Sequence, residues 1–121
     1  PINKKISAEN VFNNVPSYLG LAQTSQSITA DASSQVSDVT SAITEIDATS
    51  ATGAISLADG TDGQIKIFIN TSTSGTNNVV ITPTNLRGGT TITLNAEGET
   101  AICLFKNSKW NVIGGHGFAV A

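Results

Sequence analysis

Methionine is missing from this 121-residue chain, and cysteine, histidine, tryptophan and tyrosine occur once each. A single cysteine, Cys103, closes no internal disulfide, so stability has to come from packing or from association. A single histidine, His116, set between glycines at 114–117, leaves too few ligands for a zinc site within one chain. Charged residues make up only 12%, about half the usual share, and the net charge is −3. The only adjacent basic pair is Lys4-Lys5, which is no footprint for nucleic acid, where clustered Lys and Arg must displace counterions. No apolar run approaches the ~18 to 20 residues that span a bilayer, and none has the form of a signal-peptide h-region. Neither a nucleic-acid nor a membrane partner is therefore expected, and a cytosolic assembly route fits. The missing Met together with Pro1 matches a trimmed initiator, giving the expectation that residues 1–121 are a whole gene product.

Mean hydropathy is nevertheless near zero, at +0.06. The gap left by charge is filled by Thr, Ser, Asn and Gly, with Ser and Thr together roughly a quarter of the chain. Threonine suits a pleated, half-exposed strand, and Asn, Gly and Ser suit turns. Composition thus points to an all-β domain of ordinary size.

From residue 53 onward, short strand patterns alternate with turn signals. Residues 54–58 (AISLA) read as a strand and 59–63 (DGTDG) as a turn. In 64–70 (QIKIFIN) alternation is strict: Ile65, Ile67 and Ile69 share one face, Lys66 and Phe68 the other. Residues 71–77 read as a polar hairpin loop, 78–84 as a strand that Pro83 ends or marks as an edge, 85–89 as a turn and 90–94 as a return strand. Residues 99–106 (ETAICLFK) are apolar on both faces and predict a central strand, followed by a tight turn at 106–109 and a last strand at 110–114. Strand signals at roughly ten-residue spacing predict an antiparallel β-sandwich or barrel of about 7–8 short strands. Residues 26–50 are ambiguous. Val36, Val39, Ile43 and Ile46 have helical spacing, but the segment is rich in Ser, Thr, Val and Ile, so two strands near Ser27–Ala30 and Ala42–Ala48 are preferred.

Residues 1–25 show no sustained period, yet place Val11, Phe12, Val15, Tyr18 and Leu19 among Asn, Pro and Gly. A disordered tail rarely carries such side chains. The organisation predicted is an extended N-terminal arm (1–25) ahead of one β-domain (26–121), the arm either docking on a neighbouring subunit or folding onto its own domain.

No catalytic constellation emerges. Asp59 and Asp62 lack the further oxygen ligands of a calcium loop and read as turn formers. Glu97 and Glu99 flank Gly98 in a turn, where little separates their pKa values for acid–base work. Cys103 lies between Ile102 and Leu104 without a base and reads as core filling. Asn70-Thr71-Ser72 fits a glycosylation sequon but follows no secretory signal. Trp110, in a chain with 5% aromatics, reads as a plug for the core or a subunit interface better than as a sugar platform.

The run from Ile55 to Gly115 resembles a β-domain that recurs in virion proteins of tailed bacteriophages, including cyanophages and other marine phages, and of some large algal viruses. The matching positions are Leu57, Asp59, Gly60, Gly63 and Gln64, then Thr82, Pro83, Asn85, Leu86, Gly88 and Gly89, then Gly98, Leu104, Lys109, Trp110, Val112 and Gly114. The first 54 residues are not covered. The resemblance implies a structural role in the virion, as a capsid decoration (cement), head-fibre or tail-fibre domain, commonly a homotrimer. Its partners would be the major capsid protein and copies of itself, assembled in the host cytoplasm. The expectation is therefore a non-enzymatic packing module without cofactor, its contacts including Val11, Phe12, Val15, Tyr18 and Leu19, with a glycan-binding fibre domain as the alternative.

Overall fold

The computed structural model describes residues 24–74 and 77–121. Their ten strands are β1 (Ser25–Ala30), β2 (Gln35–Ser37), β3 (Ile43–Ala48), β4 (Thr52–Leu57), β5 (Ile65–Asn70), β6 (Asn78–Pro83), β7 (Ile92–Leu94), β8 (Thr100–Lys106), β9 (Lys109–His116) and β10 (Ala119–Val120). They form two five-stranded sheets: sheet A in the order β1-β3-β5-β8-β9, and sheet B in the order β10-β7-β6-β4-β2. The all-β sandwich expected from composition is thus present. The segment 26–50 holds strands and no helix, with β1 and β3 where two strands were preferred and the short β2 between them.

The antiparallel expectation needs correcting for the first half. From β1 to β6 the chain changes sheet at every step, and β1–β3, β3–β5, β2–β4 and β4–β6 pair in parallel. These strands make three coils of a flattened solenoid, the first returning after the 18 residues that separate Ser27 from its neighbour Glu45. The antiparallel pattern begins where β8 joins β5 and β7 joins β6, and continues through β8–β9 and β7–β10. Side-chain hydrogen bonds hold the corners on either side of β2. At Asp31 the carboxylate accepts from the Ser33 N–H (2.8 Å) and hydroxyl, and at Asp38 it accepts from the Ser41 N–H (2.6 Å) and hydroxyl. Such side-chain turns fix the chain where it passes from one sheet to the other. The polar segment 71–77 likewise joins β5 in sheet A to β6 in sheet B and is no hairpin. A true two-residue hairpin occurs between β8 and β9, where Asn107 and Ser108 both take positive φ (54° and 62°), as a primed turn requires.

Between the sheets lies one apolar core, including Ile28, Ile46, Ile55, Leu57, Phe68, Val79, Ile81, Ile92, Leu94, Phe105 and Trp110. Strand β8 is interior to sheet A, as its two apolar faces predicted. Pro83 ends β6, an interior strand, where the missing N–H breaks no later ladder bond. The buried polar side chains are all partnered among the described residues. Asn70 accepts from the Ser72 N–H (2.9 Å) and donates to the Leu94 carbonyl (3.1 Å), while Asn77 donates to the Ala48 carbonyl (2.6 Å). With Asn70 fully buried, its sequon cannot carry a glycan on the folded chain.

The sheets approach closely at Gly53, where a Cβ would stand 2.9 Å from both the Ala30 and Ala48 methyl carbons. Gly53→Val is expected to lower stability by about 1–3 kcal/mol through overpacking. A urea titration checks this, and adding Ala48→Gly should recover part of the loss. A midpoint unchanged by Gly53→Val would refute the close approach.

Candidate interaction face

Strand β5 decides what the molecule shows to its surroundings. The expected alternation holds, but the side turned inward is Lys66, Phe68 and Asn70, and the three isoleucines face out. Lys66 is fully buried because it has partners. Its Nζ donates to the Ser41 carbonyl (2.7 Å), lies 3.7 Å from Asp38 Oδ1, and sits 5.8 Å from the Phe68 ring centroid. Burial pushes the Lys66 pKa down, and the Asp38 charge opposes that only in part. At Asp38, burial raises the pKa, but the Ser41 hydrogen bonds and the Lys66 charge outweigh it and leave the carboxyl below its ordinary value.

The outward side chains of sheet A line up across strands. One row runs Ile65–Leu104–Asn111, the next Ile43–Ile67–Ile102–Gly114, and the third Glu45–Ile69–Thr100. Ile43, Ile67, Ile69, Ile102 and Leu104 are half-buried by one another, Ile65 is 40% exposed, and Ile113, at the register shift of β9, is 57% exposed. Charges on this face occupy two corners. Glu45 and Asp47 lie on β3 beyond the isoleucines, and Lys106 and Lys109 lie at the β8–β9 turn at the opposite end. Lys106 is paired with Asp62 (3.1 Å). Packing on another apolar surface is what such a face can do: it would remove aliphatic carbon from water while leaving the charges at the rim solvated.

The residues weighed for chemistry sit elsewhere and are occupied structurally. Cys103 is buried, and burial pushes its thiol up to about 12, far from a reactive thiolate. Trp110 is fully buried in the core, donating from Nε1 to the Ala58 carbonyl (2.9 Å) and meeting Phe105 edge-on at 5.1 Å. Asp59 accepts from the Asn85 amide (2.8 Å), and Asp62 accepts from the Asn107 N–H (3.1 Å). Glu99 accepts from the Asn95 N–H. His116 closes β9 and is exposed, its backbone N–H bonded to the Thr100 hydroxyl (3.1 Å). Among the described residues no group of three or more His, Cys, Asp or Glu gathers as metal ligands. The arm residues Val11, Phe12, Val15, Tyr18 and Leu19 lie outside the described residues.

Sequence reasoning missed the isoleucine face, although its signal was present. Aliphatic residues at 65, 67 and 69 share a side with 102 and 104 once β5 and β8 are paired. Only that pairing, together with the sheltered site for Lys66, tells which side faces out. Compared with known protein families and with curated proteins, the chain matches none.

Proposed function

We propose that this chain is a structural protein of a tailed-phage virion, a capsid decoration (cement) protein that binds between capsomers and stabilises the head without catalysing a reaction. The observation that favours a packing role is the outer face of sheet A, an aliphatic surface with charge only at its corners on a chain that is 12% charged. A soluble domain gains nothing by aiming isoleucines outward unless another surface covers them. The virion setting rests on the sequence resemblance over residues 55–115. The partners are the major capsid protein and copies of the chain, with no cofactor, nucleic acid or membrane. Binding that exists only on the assembled shell stabilises it by mass action, and the gain grows with the logarithm of free protein above the dissociation constant.

The purified chain added to undecorated capsids should bind stoichiometrically and saturably, and raise the temperature at which the shells open. Ile67→Asp, at the centre of the face, should lower that affinity at least about tenfold, since it places a charge where apolar surface closes. Deleting residues 1–20 should weaken capsid binding as well, if the arm carries part of the contact. No capsid binding, combined with binding to host cell surfaces, would replace this reading by a glycan-binding fibre domain.

A further inference from the structure

We infer that the outer face of sheet A is a two-fold interface, closed by the same face of a second copy of this chain. The inference deepens the packing role proposed above and rests on it: the surface that covers the face is a second copy of the chain, so that Ile67→Asp weakens capsid binding by dispersing the dimer.

The first argument is charge. With strands ~4.8 Å apart and ~6.8 Å between successive outward residues, the acidic corner (Glu45, Asp47) lies about 11 Å from Ile67. The basic corner (Lys106, Lys109) lies about 15 Å from Ile67 on nearly the same line, in the opposite direction. A two-fold axis in the plane of the interface, through Ile67 and across that line, lays each acidic corner over the basic corner of the other copy. The contact is isologous, so both corner pairs form at once. Asp62, paired with Lys106, leaves the basic corner with a net charge near +1 against −2 at the acidic corner. That imbalance still attracts.

The second argument is area. Five strands at that spacing and about six residues of length give a face of roughly 500 Å² in projection, so two such faces bury about 1,000–1,400 Å² of accessible surface. That reaches the lower end of stable protein interfaces. Sheets packed face to face interdigitate their side chains about 10 Å apart, and the outward isoleucines supply aliphatic side chains for such a contact. The uncharged strand β1 and the glycine at 114 border the face without an obstructing side chain.

The expected mass of the full chain in solution at micromolar concentration is that of a dimer. Ile67→Asp should shift it to monomer with an unchanged circular dichroism spectrum, and should abolish the concentration dependence of the melting temperature that a dimer shows. The decisive measurement is a charge swap. Glu45→Lys with Asp47→Lys, and separately Lys106→Glu with Lys109→Glu, should each raise the dimer dissociation constant about tenfold or more. Mixing the two variants should restore a heterodimer, because the two-fold then sets each reversed corner against its complement. A monomeric wild-type chain overturns the inference, as does a trimer of the kind the resemblance implies, or a dimer unaffected by Ile67→Asp. Failure of the two variants to rescue each other overturns the two-fold arrangement. A monomer that still saturates capsids, and loses that binding on Ile67→Asp, overturns self-association while leaving the decoration role standing.

Discussion

Trp110→Ala is expected to lower the free energy of unfolding by about 3–5 kcal/mol, a large share of what a domain of this size holds in total. The indole is fully buried, and it ties three parts of the chain together. Its ring meets Phe105 across the β8–β9 hairpin, its Nε1–H satisfies the Ala58 carbonyl at the end of β4, and its backbone bonds Asn85 and Arg87 in the loop before β7. Alanine opens a cavity at this junction and leaves the Ala58 carbonyl without its donor. Trp110→Phe keeps most of the ring volume but not the donor, so it should lose clearly less than alanine does. Chemical denaturation followed by circular dichroism measures both. Equal losses for Phe and Ala would mean that the packing contributes little and the argument for the junction fails.

The second large effect is at Lys66. Lys66→Ala removes a fully buried side chain of large volume and the donor to the Ser41 carbonyl, and is expected to lower stability by about 3–5 kcal/mol. Lys66→Met refills the volume without the charge and should lose only about 1–3 kcal/mol, the cost of an unpaired buried carbonyl. Asp38 keeps its bonds from Ser41 and is itself partly solvated, so it is not stranded by either change. The pH dependence separates charge from volume. The folded pKa of Lys66 lies below the ordinary 10.5, so the unfolded chain holds that proton more tightly. Wild-type stability therefore contains a contribution that is absent below the folded pKa and grows as pH rises toward 10.5. The methionine variant lacks it. Unfolding free energies of the two proteins should diverge in alkaline buffer, with the wild type gaining, and a constant difference across that range would contradict the lowered pKa that burial imposes on Lys66. At acid pH the sign is reversed in cause. Asp38 is held below 3.8, so its contribution is present above that value and disappears as pH falls through the depressed pKa.

Strand positions were legible in the sequence wherever a period of two met a turn-forming cluster. That describes β4 through β9, each within about two residues of its expected span. The two shortest strands, β2 and β10, carry too few residues for any period to register. Strand direction was not legible. A turn such as Asp31–Ser34 has the composition of a hairpin, and whether it returns the chain beside the same strand or across to the other sheet depends on backbone angles that composition does not set. The outward face was hidden for a related reason. Hydrophobicity alone would bury Ile65, Ile67 and Ile69 and expose Lys66, and the reverse holds because the Ser41 carbonyl, with the partly solvated Asp38 beside it, receives the ammonium group. Trp110 was readable as a plug for the core or an interface because a chain with 5% aromatics makes a poor sugar platform, and Cys103 as core filling because no base stands beside it in sequence.

The alternation of β1 through β6 between the two sheets also governs how the chain can acquire its structure. Neither sheet has a contiguous stretch of sequence in its parallel half, so neither can be completed while the other is absent. Each added strand of one sheet must wait for the crossing segment that contributes a strand to the other, and the two layers can only zip up together, one coil at a time. The local β8–β9 hairpin is free of that constraint and is the natural place for order to begin.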